Sequence, residues 1–210
     1  MAEGWAALGE CIVGLVGGDA ARHLRYVIPE GTAPMPGPAA VIAASWSASP
    51  VGAFREFVVV RPARIGAHLA WAVVESVVNE GGAACGRSAW GSQPSIGDLA
   101  WWVDGDRRQL EWVNRAITVT GTVGRIAMPV FLPLRTVMGG EVVPGRLRGW
   151  GRLARVDIDV EDPADPLGSA AGRHHGLVIG GAHLDLAPLR PPLPSPRATV
   201  LVPRAVSSVG

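Results

Sequence analysis

Residues 79–102 read NEGGAACGRSAWGSQPSIGDLAWW, and the fold is read outward from them. Four of the eight tryptophans lie between Trp90 and Trp112, directly after a dense Gly/Ala/Ser run. The small residues predict a short helix from about Glu80 to Ala89, a Trp90-Gly91 turn and then a tryptophan-rich strand. Backbone approaches backbone closely where glycine permits it, and pocket walls are often built in this way. The alternative is a helix packed on a sheet with tryptophan as bulk core. Both readings place this segment against a sheet.

The flanking sequence is rich in strand signals. Apolar alternation predicts strands over residues 10–17, 41–47, 54–60 and 67–78, and a meander from Leu99 turns at Asp104-Gly105. Asp19 is placed to cap a short helix ended by Pro29. Residues 31–37 form a proline-rich loop, and Ser49-Pro50-Val51-Gly52 forms a turn. Residues 67–78 are apolar on both sides, with Trp71 and Val73 on one face and Ala72, Val74 and Ser76 on the other, as in a central strand. Glu75 interrupts it, an acid best paired with arginine. The run from Ile126 to Leu134 continues the sheet with Pro129 and Pro133 at edges or bends. Residues 145–160 form a long strand whose register needs a bulge near Gly149 or Gly151. The arginines of that strand face Asp157, Asp159, Glu161 and Asp162, a self-compensating outer surface. Asp106, Arg107 and Arg108 form a solvated hairpin tip.

Composition narrows the function classes. A chain of 210 residues with 48% hydrophobic and 18% charged residues suits one well-filled domain. A net charge of +1 gives no electrostatic reason to expect nucleic acid or an anionic membrane. Every apolar run falls short of the ~20 residues of a spanning helix, and no basic leader precedes the first, so the expectation is a cytoplasmic protein. Cys11 and Cys85 are too few for a disulfide framework and read as buried free thiols. Adjacent His174 and His175 face opposite ways on an extended chain and make poor joint ligands, so no metal and no cofactor is expected. The Ala/Gly/Val/Arg-rich composition suggests a high-GC bacterial source.

A family resemblance adds to this. Gly86-Arg87, then Trp90-Gly91 and shortly afterwards Pro94, resembles the signature of the acetoacetate decarboxylase-like superfamily, which commonly reads Gly-Arg-x-x-Trp-Gly-x-Pro-Lys. The turn at Ser49–Gly52, followed by an aromatic residue and Glu56, is also similar to that family, as is the closing region from Gly176 to Pro188. The resemblance implies a β-rich α+β domain over residues 1–190, a largely antiparallel sheet curled into a barrel-like cavity with a few short helices, in a homo-oligomer. Residues 191–210 are set apart as a proline-rich, polyproline-like tail.

In that family the lysine carries the chemistry, forming a Schiff base with a β-keto acid. Here its place falls on Pro94, or on Ser95 if the register slips by one. All 19 basic residues are arginine and the chain has no lysine. Arginine stays protonated and cannot act as the amine nucleophile. The family's carboxylate-binding arginine falls on Glu10, and a partner glutamate has no counterpart in residues 41–47. Glu56 matches the glutamate that points at the lysine. It has two readings: a solvent-facing acid beside Arg55 or Arg61, or a carboxylate in an apolar cavity able to act as general acid or base.

The resemblance thus implies a small apolar keto or acyl ligand in a Trp-lined pocket formed by Trp71, Trp90, Ser92, Pro94 and Ser95, with Arg87 locking the helix by hydrogen bonds. The alternative is a lysine-independent isomerase, cyclase or dehydratase of a carbonyl compound with Glu56 as proton shuttle. A purely structural or regulatory subunit is the third possibility.

Overall fold

The computed structural model describes residues 5–24, 32–83, 94–138 and 141–187. Extended chain dominates. In order, the elements are β1 (Trp5–Val16), α1 (Gly18–His23), β2 (Ala33–Pro34), β3 (Ala39–Ala48), β4 (Phe54–Ile65), β5 (His68–Val78), α2 (Glu80–Ala83), β6 (Ser95–Ile96), β7 (Leu99–Asp104), β8 (Arg107–Trp112), β9 (Ile117–Met138), β10 (Glu141–Val160) and β11 (Gly172–Leu186). The strands form one sheet in the order β6-β5-β4-β3-β1-β11-β10-β9-β8-β7. All pairings are antiparallel except those of β5 with β6 and of β5 with β9. The second of these, Trp71 opposite Thr136, joins distant parts of the strand order and curls the sheet upon itself.

Strands β1, β3, β4 and β5 are apolar on both faces because each face covers a different core. Side chains of alternating parity, such as Ile42 and Ala44 against Val41 and Ala43, enter a first and a second core respectively. The first core is enclosed by β11 and by the parts of β9 and β10 nearest their hairpin, through Val130, Leu134, Val143 and Leu147. The second is covered by α1, by β7 and β8, and by the other ends of β9 and β10, through Leu99, Leu110, Ile117 and Ile158. Two register breaks in β10, one between Arg148 and Trp150 against β11 and one between Arg152 and Ala154 against β9, fall where these long strands pass from one core to the other. In both, the extra residues stand on the partner strand, Gly181 and Ala182 of β11 facing Gly149 and Gly124–Ile126 of β9 facing Leu153, so the bulge expected near Gly149 or Gly151 lies in the neighbours of β10 instead, with Gly181 at φ +56°.

Several elements depart from the sequence expectation. Gly17, not Asp19, holds the cap position of α1. Pro129 and Pro133 do stand at an edge, as expected: β9 runs unbroken through them, and residues 127–135 pair only with β10 and leave their other side open. Proline costs no ladder bond on such an edge. Arg108 is not a solvated tip: its Nε donates to Glu10 Oε1 at 2.8 Å, tying β8 to β1. The extra residue Val74, squeezed between Val73 opposite Val60 and Glu75 opposite Val59, reverses the facing of the rest of β5. Ser76 therefore sits on the first-core face with Trp71 and Val73.

Glu75 is paired as expected. Arg115 donates to Glu75 at 3.2 Å and to Asp165 in a two-pronged bond, while its guanidinium lies 4.5 Å from the Trp112 ring centre. The arginines of β10 and β11 pair with acids in water: Arg146 with Asp185, and Arg155 and Arg173 with Asp157. No helix among the described residues is long and apolar enough to cross a membrane, and among them no cluster of His, Cys, Asp or Glu is arranged to hold a metal.

Candidate functional site

Glu56 is positioned by the tight turn that precedes β4. The Gly52 amide donates to Ser49 O at 3.0 Å, and Gly52 takes φ +92°, which a side chain disfavours. This turn sets the β3–β4 register so that Ala44 lies opposite Glu56 and Trp46 opposite Phe54. Glu56 consequently points into the first core and is fully buried. The solvent-facing reading is thereby overturned. Its neighbour Arg55 faces the other way and donates to Leu99 O.

Within the core, Trp46 Nε1 donates to Glu56 Oε2 at 2.9 Å. The indole is the buried donor a desolvated carboxylate requires. Across the sheet, Ile179, Cys11, Ala44, Glu56 and Val78 form one cross-strand row on the same face. The small Ala44 leaves room beside the acid. Cys11 is a buried free thiol. It is pushed up from 9.0 to about 12, first by burial and second by the Glu10 carboxylate. Glu10 itself lies on the opposite face from Glu56, so the position matched to a carboxylate-binding arginine does not reach this row.

Ser76, opposite Val58, is diagonal to Glu56 on the same face, and its buried Oγ has no hydrogen-bond partner. Thr136 Oγ1, beside Trp71 at the β5–β9 bridge, is likewise buried without a partner. Sequence reasoning missed Trp46, Ser76 and Thr136. Trp46 was legible in principle: it flanks the same turn as Glu56 with matching parity. Ser76 was not, because its facing depends on the Val74 bulge.

The open space lies elsewhere on the same face. A cavity of about 260 Å³ is bounded by Val13, Ala40, Ile42, Val60, Trp71 and Leu147, with Leu15, Leu132 and Leu177 at its rim, and no charged side chain lines it. Val60 stands four residues from Glu56 on β4, about 13 Å along an extended strand. Glu56 thus shares a face with this cavity without bordering it. Trp71 also walls a broader groove of about 820 Å³. A third, polar depression of about 420 Å³ lies against Arg55, Asn79, Glu80, Asp98 and Asn114, on the reverse side of β4. Of the other expected pocket residues, Pro94 is half-buried, and Ser95 is exposed on β6, its Oγ donating to Ser76 O at 3.3 Å. Trp90, Ser92 and Arg87 lie outside the described residues, as does Cys85.

No family model and no curated protein matches the chain. Solved structures do. The enduracididine biosynthesis enzyme MppR, with HEPES buffer bound, superposes with a TM-score of 0.58 at 17% identity over 90% of this chain and 87% of that one. An acetoacetate decarboxylase from Legionella pneumophila gives 0.57 at 14% identity over 87% of each chain. An acetoacetate decarboxylase-like enzyme from Sphingomonas wittichii gives 0.55 at 14% identity over 87% of this chain and 88% of that one. The chain has the acetoacetate decarboxylase-like fold. The signature residues around Ser49–Glu56 and Gly86–Gly91 thus pointed to the right fold. Within it, Glu56 is an inward acid, and no lysine is present anywhere in the sequence to stand beside it.

Proposed function

We propose that this acetoacetate decarboxylase-like protein binds a small, largely apolar keto or acyl compound and performs no lysine imine chemistry. The observation that carries the reading is the Trp71-walled cavity, lined by apolar side chains and open to solvent at Leu15 and Leu132. Its volume of about 260 Å³ lies just below the roughly 300–1,000 Å³ common for ligand pockets, which suits a small guest. With no charged side chain in the wall, a carboxylate entering it would lose hydration without compensation. A neutral ketone or acyl chain loses little. The fold neighbour MppR is also known in complex with pyruvate, a keto acid, which supports the carbonyl class while differing in charge.

Titration with 2-heptanone, read by tryptophan fluorescence, tests this. Saturable quenching is expected, with pyruvate giving none, and Ala40→Leu, which fills the cavity while keeping Trp71, abolishes it. Unchanged quenching in Ala40→Leu removes the cavity from the reading. Borohydride trapping with acetoacetate is expected to modify no side chain.

A second reading rests on the burial of Glu56 and its bond to Trp46. A desolvated acid is suited to move protons near neutral pH, as an isomerase, cyclase or dehydratase of a carbonyl compound requires. Glu56→Gln keeps the shape and removes the proton. Turnover of a carbonyl compound by the parent that disappears in Glu56→Gln, with 2-heptanone binding unchanged, favours this reading over the first.

A further inference from the structure

Two hollows meet at Trp71. The cavity of about 260 Å³ and the groove of about 820 Å³ share Trp71, Pro133 and Leu134 as walls, and Leu132 at the open rim of the cavity is the chain neighbour of Pro133. A guest in the cavity therefore has the groove beside it. The groove wall is fastened where the Met35 amide donates to Pro62 O at 3.0 Å. Pro36, Pro38, Pro62, Pro133 and Pro144 line it and, lacking N–H groups, give a ligand no backbone donors.

One charge borders this apolar surface. Among the described residues of the groove, Arg135 alone is charged, and it is exposed. It stands two residues beyond Pro133 on the same side of β9, about 7 Å along the strand. No acid among the described residues pairs with it. The other cation near the mouth, Arg155, lies in the cross-strand row of Leu15 and His175 and is already held by Asp157 at 3.1 Å. An anion in the groove thus meets a guanidinium with no competing carboxylate, and the guanidinium fork can donate to both oxygens of a carboxylate.

From the shared walls and the unpaired cation we infer that the ligand is amphiphilic, a medium-chain carboxylate whose acyl chain fills the Trp71-walled cavity and whose carboxylate lies in the groove on Arg135. This rests on the cavity reading above and adds to it the polar end of the guest. The charge stays outside the apolar wall and keeps part of its hydration. Pyruvate cannot be held in this way, because its carboxylate adjoins its carbonyl.

Isothermal titration calorimetry of the full chain with decanoate and with 2-heptanone tests this. The parent is expected to bind decanoate more tightly than 2-heptanone. Arg135→Gln is expected to weaken decanoate about fivefold, the loss of one charge-assisted contact at a solvated site, and to leave 2-heptanone unchanged. Arg135→Lys recovers most of that loss, added salt weakens decanoate in the parent alone, and Arg155→Gln changes neither ligand. Decanoate affinity unchanged in Arg135→Gln, with 2-heptanone still bound, overturns the inference and leaves the cavity reading standing. An equal loss for both ligands in Arg135→Gln also overturns it, since Arg135 then shapes the hollow and reads no charge. If the parent binds neither ligand, the cavity reading itself fails and takes the inference with it.

Discussion

The two ends of the first core differ in kind. Around Trp46, Phe54 and Glu56 it is sealed, and the acid it contains has no exposure at all. Around Trp71 it opens, with Leu15 at 47% and Leu132 at 39% exposure, and it holds no charged wall residue. One strand, β4, serves both ends, with Glu56 and Val60 on the same face. An acid able to do chemistry and a hollow able to take a guest have therefore been drawn apart along one strand. The sealed end bears on stability, and the open end on binding.

The largest expected effect breaks this comparison if it fails. Glu56→Ala leaves Trp46 Nε1 without its acceptor and opens a void between Ala44 and Val58. The two costs together are about 3 kcal/mol, measurable as a lower urea midpoint with unchanged slope. Glu56→Gln keeps an acceptor for the indole and is expected to cost about 1 kcal/mol. If Glu56→Ala proves neutral or stabilising, the acid is not part of what holds the sealed end together, and the proton-transfer reading gains accordingly.

Cys11, in the same cross-strand row, sharpens the comparison by pH. Its folded thiol is pushed up from 9.0 to about 12. Between those values the unfolded chain loses a proton that the folded chain keeps, so the native state loses stability as pH rises. The maximal slope is about 1.4 kcal/mol per pH unit for one group. Stability of the parent relative to Cys11→Ala is expected to be flat below pH 8 and to fall above pH 9. A difference that stays flat to pH 10.5 means that water reaches the row and that this end is not sealed.

How much of this was legible in the sequence varies with the kind of contact involved. The turn at Ser49–Gly52 came from local signals, whereas the facing of Glu56 stayed open between solvent and cavity, because parity decides the facing of a strand residue only once one neighbour is fixed. The Asp104-Gly105 hairpin was equally local, with Gly105 at φ +53°. What escaped depends on tertiary arrangement. Pro129 and Pro133 were legible as edge or bend positions, but nothing in their own sequence tells that one strand runs unbroken from Ile117 to Met138 through them. A single extra residue at Val74 moved Ser76 to the other face. Of the expected pocket residues, Trp71 does wall the described hollow, placed by the long-range bridge to Thr136, whereas Val13, Ala40, Ile42, Val60 and Leu147 escaped because that wall is assembled from four strands distant in sequence.

At the open end the expectation is inverted. Leu15→Ser at the cavity rim removes a half-exposed side chain, so its stability cost is about 0.5–1 kcal/mol, well below that of Glu56→Ala. Its effect is expected in binding instead, as a several-fold weaker 2-heptanone titration. A loss of stability as large as that of Glu56→Ala with binding intact contradicts the division between the two ends.

The smallest effect belongs to the outer surface and calibrates the others. Arg148 Nε donates to His183 Nδ1 at 2.9 Å, and its Nη2 lies 3.6 Å from Asp185 Oδ2, with the arginine side chain 47% exposed. Asp185 keeps Arg146 at 2.8 Å when Arg148 is removed, so no charge is stranded. Water and salt already screen the pair, and exposed ion pairs contribute about 0–1 kcal/mol. Arg148→Ala is accordingly expected to shift stability by less than about 0.5 kcal/mol, with no further change in 0.5 M salt. The contrast with Glu56 lies in the partners left behind: a solvated aspartate with a second arginine at hand on the surface, and an indole N–H with no water to turn to in the core.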